Sequence, residues 1–361
     1  MLFFIVGIYC GLICVEGSSM EASLHQQIFK NYNKHVLPGE IDEAVNVSVD
    51  VKLSYLVGLD EKHQMLSLGM YFNITWVDEA LSWNETEFPG LQEIIVPDKQ
   101  IWLPQIAIPS AIRTNRYLTA VNYPVSIQSN GTVIWIPDYT GNIQCPIDTT
   151  RFPFDSQTCL FDITLWVYKK KHAQIVKSKG HAESTVKQNG QWEINTVESN
   201  LVTPLGERNY IAITLDMHRR REYYLVSIIL PTAVTSCLNP FVFLLPAESG
   251  EKVGLATTLM LFYYVMLSHI FDNIPANSLT MPVFGIFIGG QLVLSGLSVV
   301  CIVVLLKLSQ TNRDVAKIER SEDGNTPKIN CLWKRIETIL FCVFAITGIV
   351  FCGTVLILVQ L

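Results

Sequence analysis

The stretch "CPIDTTRFPFDSQTC", Cys145 to Cys159, decides how the rest of the chain is read. It closes one compact loop with an apolar tip, Phe152-Pro153-Phe154-Asp155. The segment before it is rich in glycine and asparagine and reads as surface. An apolar loop end that its own domain does not bury calls for another partner. Of the nine cysteines, Cys10 and Cys14 fall in an apolar leader. Cys237, Cys301, Cys331, Cys342 and Cys352 fall in or between long apolar runs. Cys145 and Cys159 are then the only two in the polar first part, and they are expected to pair. Closing so short a loop contributes about 3 kcal/mol through the entropy of the unfolded chain.

Outward from the loop, the chain divides in two. Its 361 residues are enough for two domains. Residues 1–19, "MLFFIVGIYCGLICVEGSS", read as a secretory signal, with an uncleaved anchor as the alternative because no Lys or Arg precedes the apolar stretch. Residues 20–221 read as an all-β sandwich preceded by a short helix, "EASLHQQIFKNY". In "VNVSVDVKLSYLVGL", Val45, Val47, Val49, Val51 and Leu53 alternate onto one face, the pattern of a half-buried strand. "CLFDITLWVY" and "NYIAITLDMHRR" repeat it, with turn signals between the strands. Four glycosylation sequons, at Asn46, Asn73, Asn84 and Asn130, all lie in this half, which supports an extracellular location. The net charge of −6, with no basic face, excludes nucleic acid as a partner.

Residues 222–361 hold four apolar runs, at about 223–245, 253–271, 283–306 and 338–361. Each can cross about 30 Å of hydrocarbon as a helix, which predicts a four-helix transmembrane bundle. The segment 307–337 carries Lys307, Arg313, Lys317, Arg320, Lys328, Lys334 and Arg335, while "DNIPANSLTMP" between the second and third runs has no Lys or Arg. The positive-inside rule puts 307–337 in the cytoplasm and both termini outside.

The second run has ionisable residues at both ends, which are costly against lipid. On a helix, Glu251, Gly254, Thr258, Leu261, Val265, Ser268 and Asp272 share one stripe. In a ring of copies each becomes a ring of side chains. Glu251 would then concentrate cations, and Leu261 and Val265 would form a constriction. A packed helix without a pore is the alternative. Phe262, Tyr263 and Tyr264 fall off the stripe and are expected to pack against neighbours.

These residues together identify a resemblance. The chain resembles the pentameric Cys-loop ligand-gated ion channels, in the branch of the nicotinic acetylcholine and serotonin type 3 receptors. The resemblance rests on the Cys145–Cys159 loop, "WVDEALSWN" from Trp76, "WLPQI" from Trp102, "RRREYYLVSIILP" and "LLPAESGEK". It implies a plasma-membrane subunit, homo- or hetero-pentameric, gated by a small-molecule agonist and conducting monovalent cations through a lipid-embedded pore. It implies that the loop tip, through Phe154 and Asp155, meets the linker holding Pro275 and couples binding to the pore. It implies a ligand site of aromatic rings at subunit interfaces, with Trp166, Tyr168 and Tyr210 on one face and Tyr71 and Trp135 on the other. "SGEK" is similar to the cation-selective branch, with Glu251 as selectivity residue and Leu261 as gate.

Two departures stand out. Pro109 occupies the place of an expected ring, and "ESNLVTPLGERN" before Tyr210 lacks the adjacent cysteines of acetylcholine-binding subunits. The alternative is therefore a non-conducting or accessory subunit that completes its ligand site only with partners. No nucleophile–base pair or metal-spaced cluster rises from the sequence, so neither an enzyme, a cofactor nor a metal is expected.

Overall fold

The computed structural model describes residues 20–39, 43–120, 122–177, 189–205, 208–246, 250–276, 281–319 and 329–360. The expected signal, residues 1–19, lies outside them. Contacts divide the chain into two units. The first is built from Met1–Asp60, Gln64–Pro146 and Thr158–Met217; the second joins His218–Leu361 with two loops from the first half, Glu61–His63 and Ile147–Gln157.

The first unit opens with a helix, α1 (20–29), which buries Leu24 and Ile28 one turn apart. Among the described residues, twelve strands follow in two sheets. In chain order they are β1 (Val45–Asp60), β2 (Met65–Val77), β3 (Glu93–Val96), β4 (Ile106–Ala107), β5 (Ala111–Ile112), β6 (Val125–Gln128), β7 (Thr132–Trp135), β8 (Asp138–Gln144), β9 (Ser156–Leu165), β10 (Ala173–Lys177), β11 (Trp192–Val202) and β12 (Tyr210–Arg219). The larger sheet has the order β10-β1-β2-β7-β6-β3, with β8 also pairing β2 and β5 at its side; the smaller has the order β11-β12-β9-β4. β1 (Val45–Asp60) and β2 (Met65–Val77) form a long antiparallel hairpin. The predicted apolar face of β1 is buried throughout, from Val45 to Leu53, because alternate side chains of a strand point the same way. Tyr32, just after α1, donates from its hydroxyl to the buried Asp78 at 2.8 Å and accepts from the Trp102 amide at 3.1 Å. Burial raises the pKa of both the Tyr32 hydroxyl and the Asp78 carboxyl. The turn between β6 (Val125–Gln128) and β7 (Thr132–Trp135) needs Gly131. Its φ is +80°, and a Cβ there would come within 2.7 Å of the Asp78 carbonyl oxygen.

Among the described residues, the second unit holds four long helices: α2 (Glu222–Leu244), α3 (Glu251–Asn273), α4 (Val283–Glu319) and α5 (Ile329–Gln360). Among the described residues, three stretches are long and apolar enough to cross a membrane: α2, α3 and Val283–Thr311 of α4. The helices begin and end close to the apolar runs, except that α4 continues past Leu306 and α5 begins at Ile329, before Thr338, both within the charged segment. α2 is irregular, with a π turn at Leu225–Ile229 and a 3-10 stretch at Asn239–Leu244. Pro231 and Pro240 account for this, since neither can donate to the helical ladder. Two buried clusters hold the unit together. One joins Tyr263, Ile270, Ile274, Phe284 and Ile288 with Ile228, and the other joins Phe243, Ala256 and Leu259 with Ile302 and Phe344.

Candidate functional site

The first candidate site is a cleft in the first unit. β9 (Ser156–Leu165) ends at Trp166, whose amide donates to the Gln105 carbonyl at 3.1 Å. β4 (Ile106–Ala107) lies beside the end of β9 and carries the chain on to Pro109. β12 (Tyr210–Arg219) opens with Tyr210. Trp166, Pro109 and Tyr210 thus converge on one open cleft of about 800 Å³. Trp166 is 44% exposed, an unusual position for an indole unless something covers it. Asp162, Lys169, Lys170 and Arg208 supply the cleft's charge. Partial burial raises the Asp162 carboxyl pKa. Arg208 donates from Nε to the Tyr168 carbonyl at 2.8 Å.

The other predicted ring residues sit elsewhere. Tyr168 turns away from the cleft: its hydroxyl accepts from Trp102 Nε1 at 3.1 Å, and the two rings pack with centroids 5.8 Å apart. Tyr71 lies on β2 in the other sheet, half-buried, with the Lys52 ammonium 6.0 Å from its ring centroid. Trp135 is fully buried. On β7 it shares the inward face with Val133, while Thr132 and Ile134 take the outward one, so its ring belongs to the sheet core. The sites Asn46, Asn73, Asn84 and Asn130 are all exposed, Asn73 from the outer face of its strand.

The Cys145–Cys159 disulfide is formed. The loop it closes has found the partner its apolar tip required. The Phe152 ring packs edge-on against Tyr224 with centroids 5.3 Å apart and belongs to the buried cluster with Ile270, Ile274 and Phe284. Phe154 is half-buried and outside that cluster. The Thr150 carbonyl accepts from the Val283 amide at the start of α4 at 3.0 Å. Pro275 is buried beside Ile274, and residues 277–280 of its linker lie outside the described residues.

Asp155 meets Arg219, which the sequence reading had not singled out. The guanidinium donates Nε to Asp155 Oδ1 at 2.7 Å and Nη2 to Oδ2 at 3.0 Å, while Nη1 reaches Glu61 Oε1 at 2.6 Å and the Tyr224 hydroxyl at 3.1 Å. It also stacks 5.0 Å from the Phe152 centroid. Burial opposes its charge, but the hydrogen bonds and charge of Asp155, with Glu61 and Tyr224, more than offset that and raise its pKa. The three arginines at 219–221, just before the first apolar run, were the available signal.

The second candidate site is α3. All seven residues of its predicted stripe are exposed: Glu251, Gly254, Thr258, Leu261, Val265, Ser268 and Asp272. The opposite face, with Lys252, Ala256, Leu259, Tyr263 and Ile270, is buried. Thr258 donates to the Gly254 carbonyl at 2.8 Å, so its polar group is already satisfied within the helix. Tyr263 packs as expected, its hydroxyl 3.2 Å from Ser236 Oγ, but Tyr264 is 60% exposed. Lys252 follows Glu251 at the start of the helix, but its side chain takes another direction. It turns inward, donating to Glu337 Oε1 at 2.7 Å and to the Phe243 carbonyl at 3.2 Å.

Comparison with known proteins adds to this geometry. A family model described as "Neurotransmitter-gated ion-channel ligand binding domain" matches residues 21–223, and one described as "Neurotransmitter-gated ion-channel transmembrane region" matches residues 228–337. The chain is 30% identical to the acetylcholine receptor subunit beta of Rattus norvegicus, over 81% of this chain and 62% of that protein. It is 30% identical to the neuronal acetylcholine receptor subunit alpha-3 of Carassius auratus, over 85% of this chain and 61% of that protein. It is 27% identical to the human neuronal acetylcholine receptor subunit beta-3, over 88% of this chain and 71% of that protein. The chain thus spans about three fifths of the length of the first two relatives.

Proposed function

Since the chain belongs to the neurotransmitter-gated ion-channel family, we propose that it is a subunit of a cation-selective channel opened by an extracellular small molecule. One observation carries the reading: the α3 stripe, charged at both ends, is uncovered along its whole length while the opposite face is packed. A single copy leaves Leu261 at 60% and Val265 at 51% exposure. Five copies around an axis would turn those residues into a dewetting constriction and Glu251 into a ring that favours monovalent cations. The exposed apolar faces of α4 and α5, such as Val293, Val300, Ile346 and Ile349, suit lipid.

In this reading the subunit is a multi-pass plasma-membrane protein with the β-sandwich, its four sequons and the C-terminus outside. Residues 307–337 are cytoplasmic. The agonist binds beside Trp166 and Tyr210, with Tyr71 offered by the neighbouring copy. The loop tip and the Pro275 linker pass the signal to α3. The test is to express the chain alone with Leu261→Thr. A hydroxyl in place of that isobutyl group should let water fill the constriction and give a constitutive cation current. A surface-expressed pentamer with no constitutive or ligand-evoked current removes the channel reading for the homomer. A second reading, an accessory subunit, is favoured by one specific observation: Pro109 stands in the cleft where a ring would close it.

A further inference from the structure

The cleft beside Trp166 is the wrong shape in charge for an amine. A box that holds an organic cation needs several ring faces and negative potential. Within one copy, the described residues offer this cleft two rings, Trp166 and Tyr210, and a proline in place of a further wall. Among the described residues, it sets three cations, Lys169, Lys170 and Arg208, against one carboxylate, Asp162. Among the described residues, no ion pair engages these three, in contrast to Arg219 and Lys252. An incoming cation would meet net repulsion at the place where its charge must be desolvated.

Arg208 is also aimed. Its Nε donates to the Tyr168 carbonyl at 2.8 Å, which anchors the guanidinium at one point and leaves Nη1 and Nη2 without a protein acceptor among the described residues. The two parallel Nη donors of the planar guanidinium match the two oxygens of a carboxylate, a fit that a lysine cannot reproduce. Lys169 and Lys170 add charge without that geometry. The exposed indole of Trp166 would cover the ligand's hydrocarbon part.

We propose that the cleft formed by Trp166, Tyr210 and Arg208 takes a small organic carboxylate rather than an amine. The proposal deepens the channel reading, on which it rests for the location of the site, and names its ligand class. Arg208 grips the carboxylate through both terminal nitrogens, the two lysines hold the anion in the cleft, and Trp166 packs on the carbon skeleton.

The test uses the full-length assembled protein in lipid nanodiscs, with binding read by calorimetry and current recorded separately. The probes are succinate and glutamate as carboxylates, and choline and tryptamine as cations. Succinate or glutamate should bind, more weakly as ionic strength rises, and the cations should not compete. Arg208→Gln should weaken the carboxylate at least tenfold. Arg208→Lys, which keeps the charge but not the fork, should recover only part of that loss. Binding of choline or tryptamine in preference to the carboxylates overturns the proposal, as does unchanged affinity in Arg208→Gln, or no binding by either carboxylate. Carboxylate binding that evokes no current leaves the ligand class standing and counts against the channel instead. Current evoked only by an amine does the reverse.

Discussion

Two arginines eleven positions apart illustrate two uses of one side chain. Arg219 is buried, and all three of its guanidinium nitrogens are engaged, by Asp155, by Glu61 and by the Tyr224 hydroxyl. Arg208 is exposed, and only its Nε has a protein acceptor among the described residues. A buried charge is tolerable only when its donors are matched, so Arg219 is committed to holding the loop 147–157 and residues 61–63 in one unit with the helices. An exposed guanidinium with open donors costs the fold nothing and remains available to a ligand.

The contrast can be broken by substitution. Arg219→Ala would strand a buried carboxylate and should destabilise by about 4 kcal/mol, read as a lower melting temperature and loss of surface assembly. A melt unchanged within error would mean that Asp155 is not buried as described. Phe152→Ala should cost about 3 kcal/mol by emptying the cluster with Ile270 and Phe284, while Phe154→Ala should cost clearly less. Equal effects would contradict the separation of the two rings.

A smaller effect belongs to Asp148. Hydrogen bonds from the Thr150 hydroxyl and amide hold its carboxyl below the usual value. A group depressed in the folded state supports the fold above its unfolded pKa and loses that support as pH falls through the lower folded value. Amide exchange at Thr150 should therefore rise below about pH 4, and Asp148→Asn should abolish the dependence. Arg208→Ala should be nearly silent in the melt, within about 0.5 kcal/mol. A large loss there would assign Arg208 to the fold and remove the contrast.

The sequence was most readable where periodicity decides the answer. The alternation from Val45 to Leu53 gave the buried face of β1, and the spacing of three and four along α3 picked out seven residues that all stand uncovered. It was least readable where the backbone leaves a regular period. Tyr168 follows the end of β9 at Leu165, in a turn where strand parity no longer says which way a ring points, and it packs on Trp102 rather than beside Trp166. Within the loop tip, Phe152 and Phe154 share one spacing, and only their surroundings tell which ring enters the helices. Trp135 lies on a regular strand, yet an aromatic there suits an inner or an outer face equally. Arg219 stood in a run of three arginines that composition cannot rank.

The adjacent pair Glu251-Lys252 sums to zero on paper, but its two members part company. The ammonium is spent on Glu337 of the last helix and on a backbone oxygen, while the acid is left exposed. Repetition about an axis would multiply the acid along the aqueous path without multiplying the base beside it, so a dipeptide that looks electrically mute would speak there with a single sign.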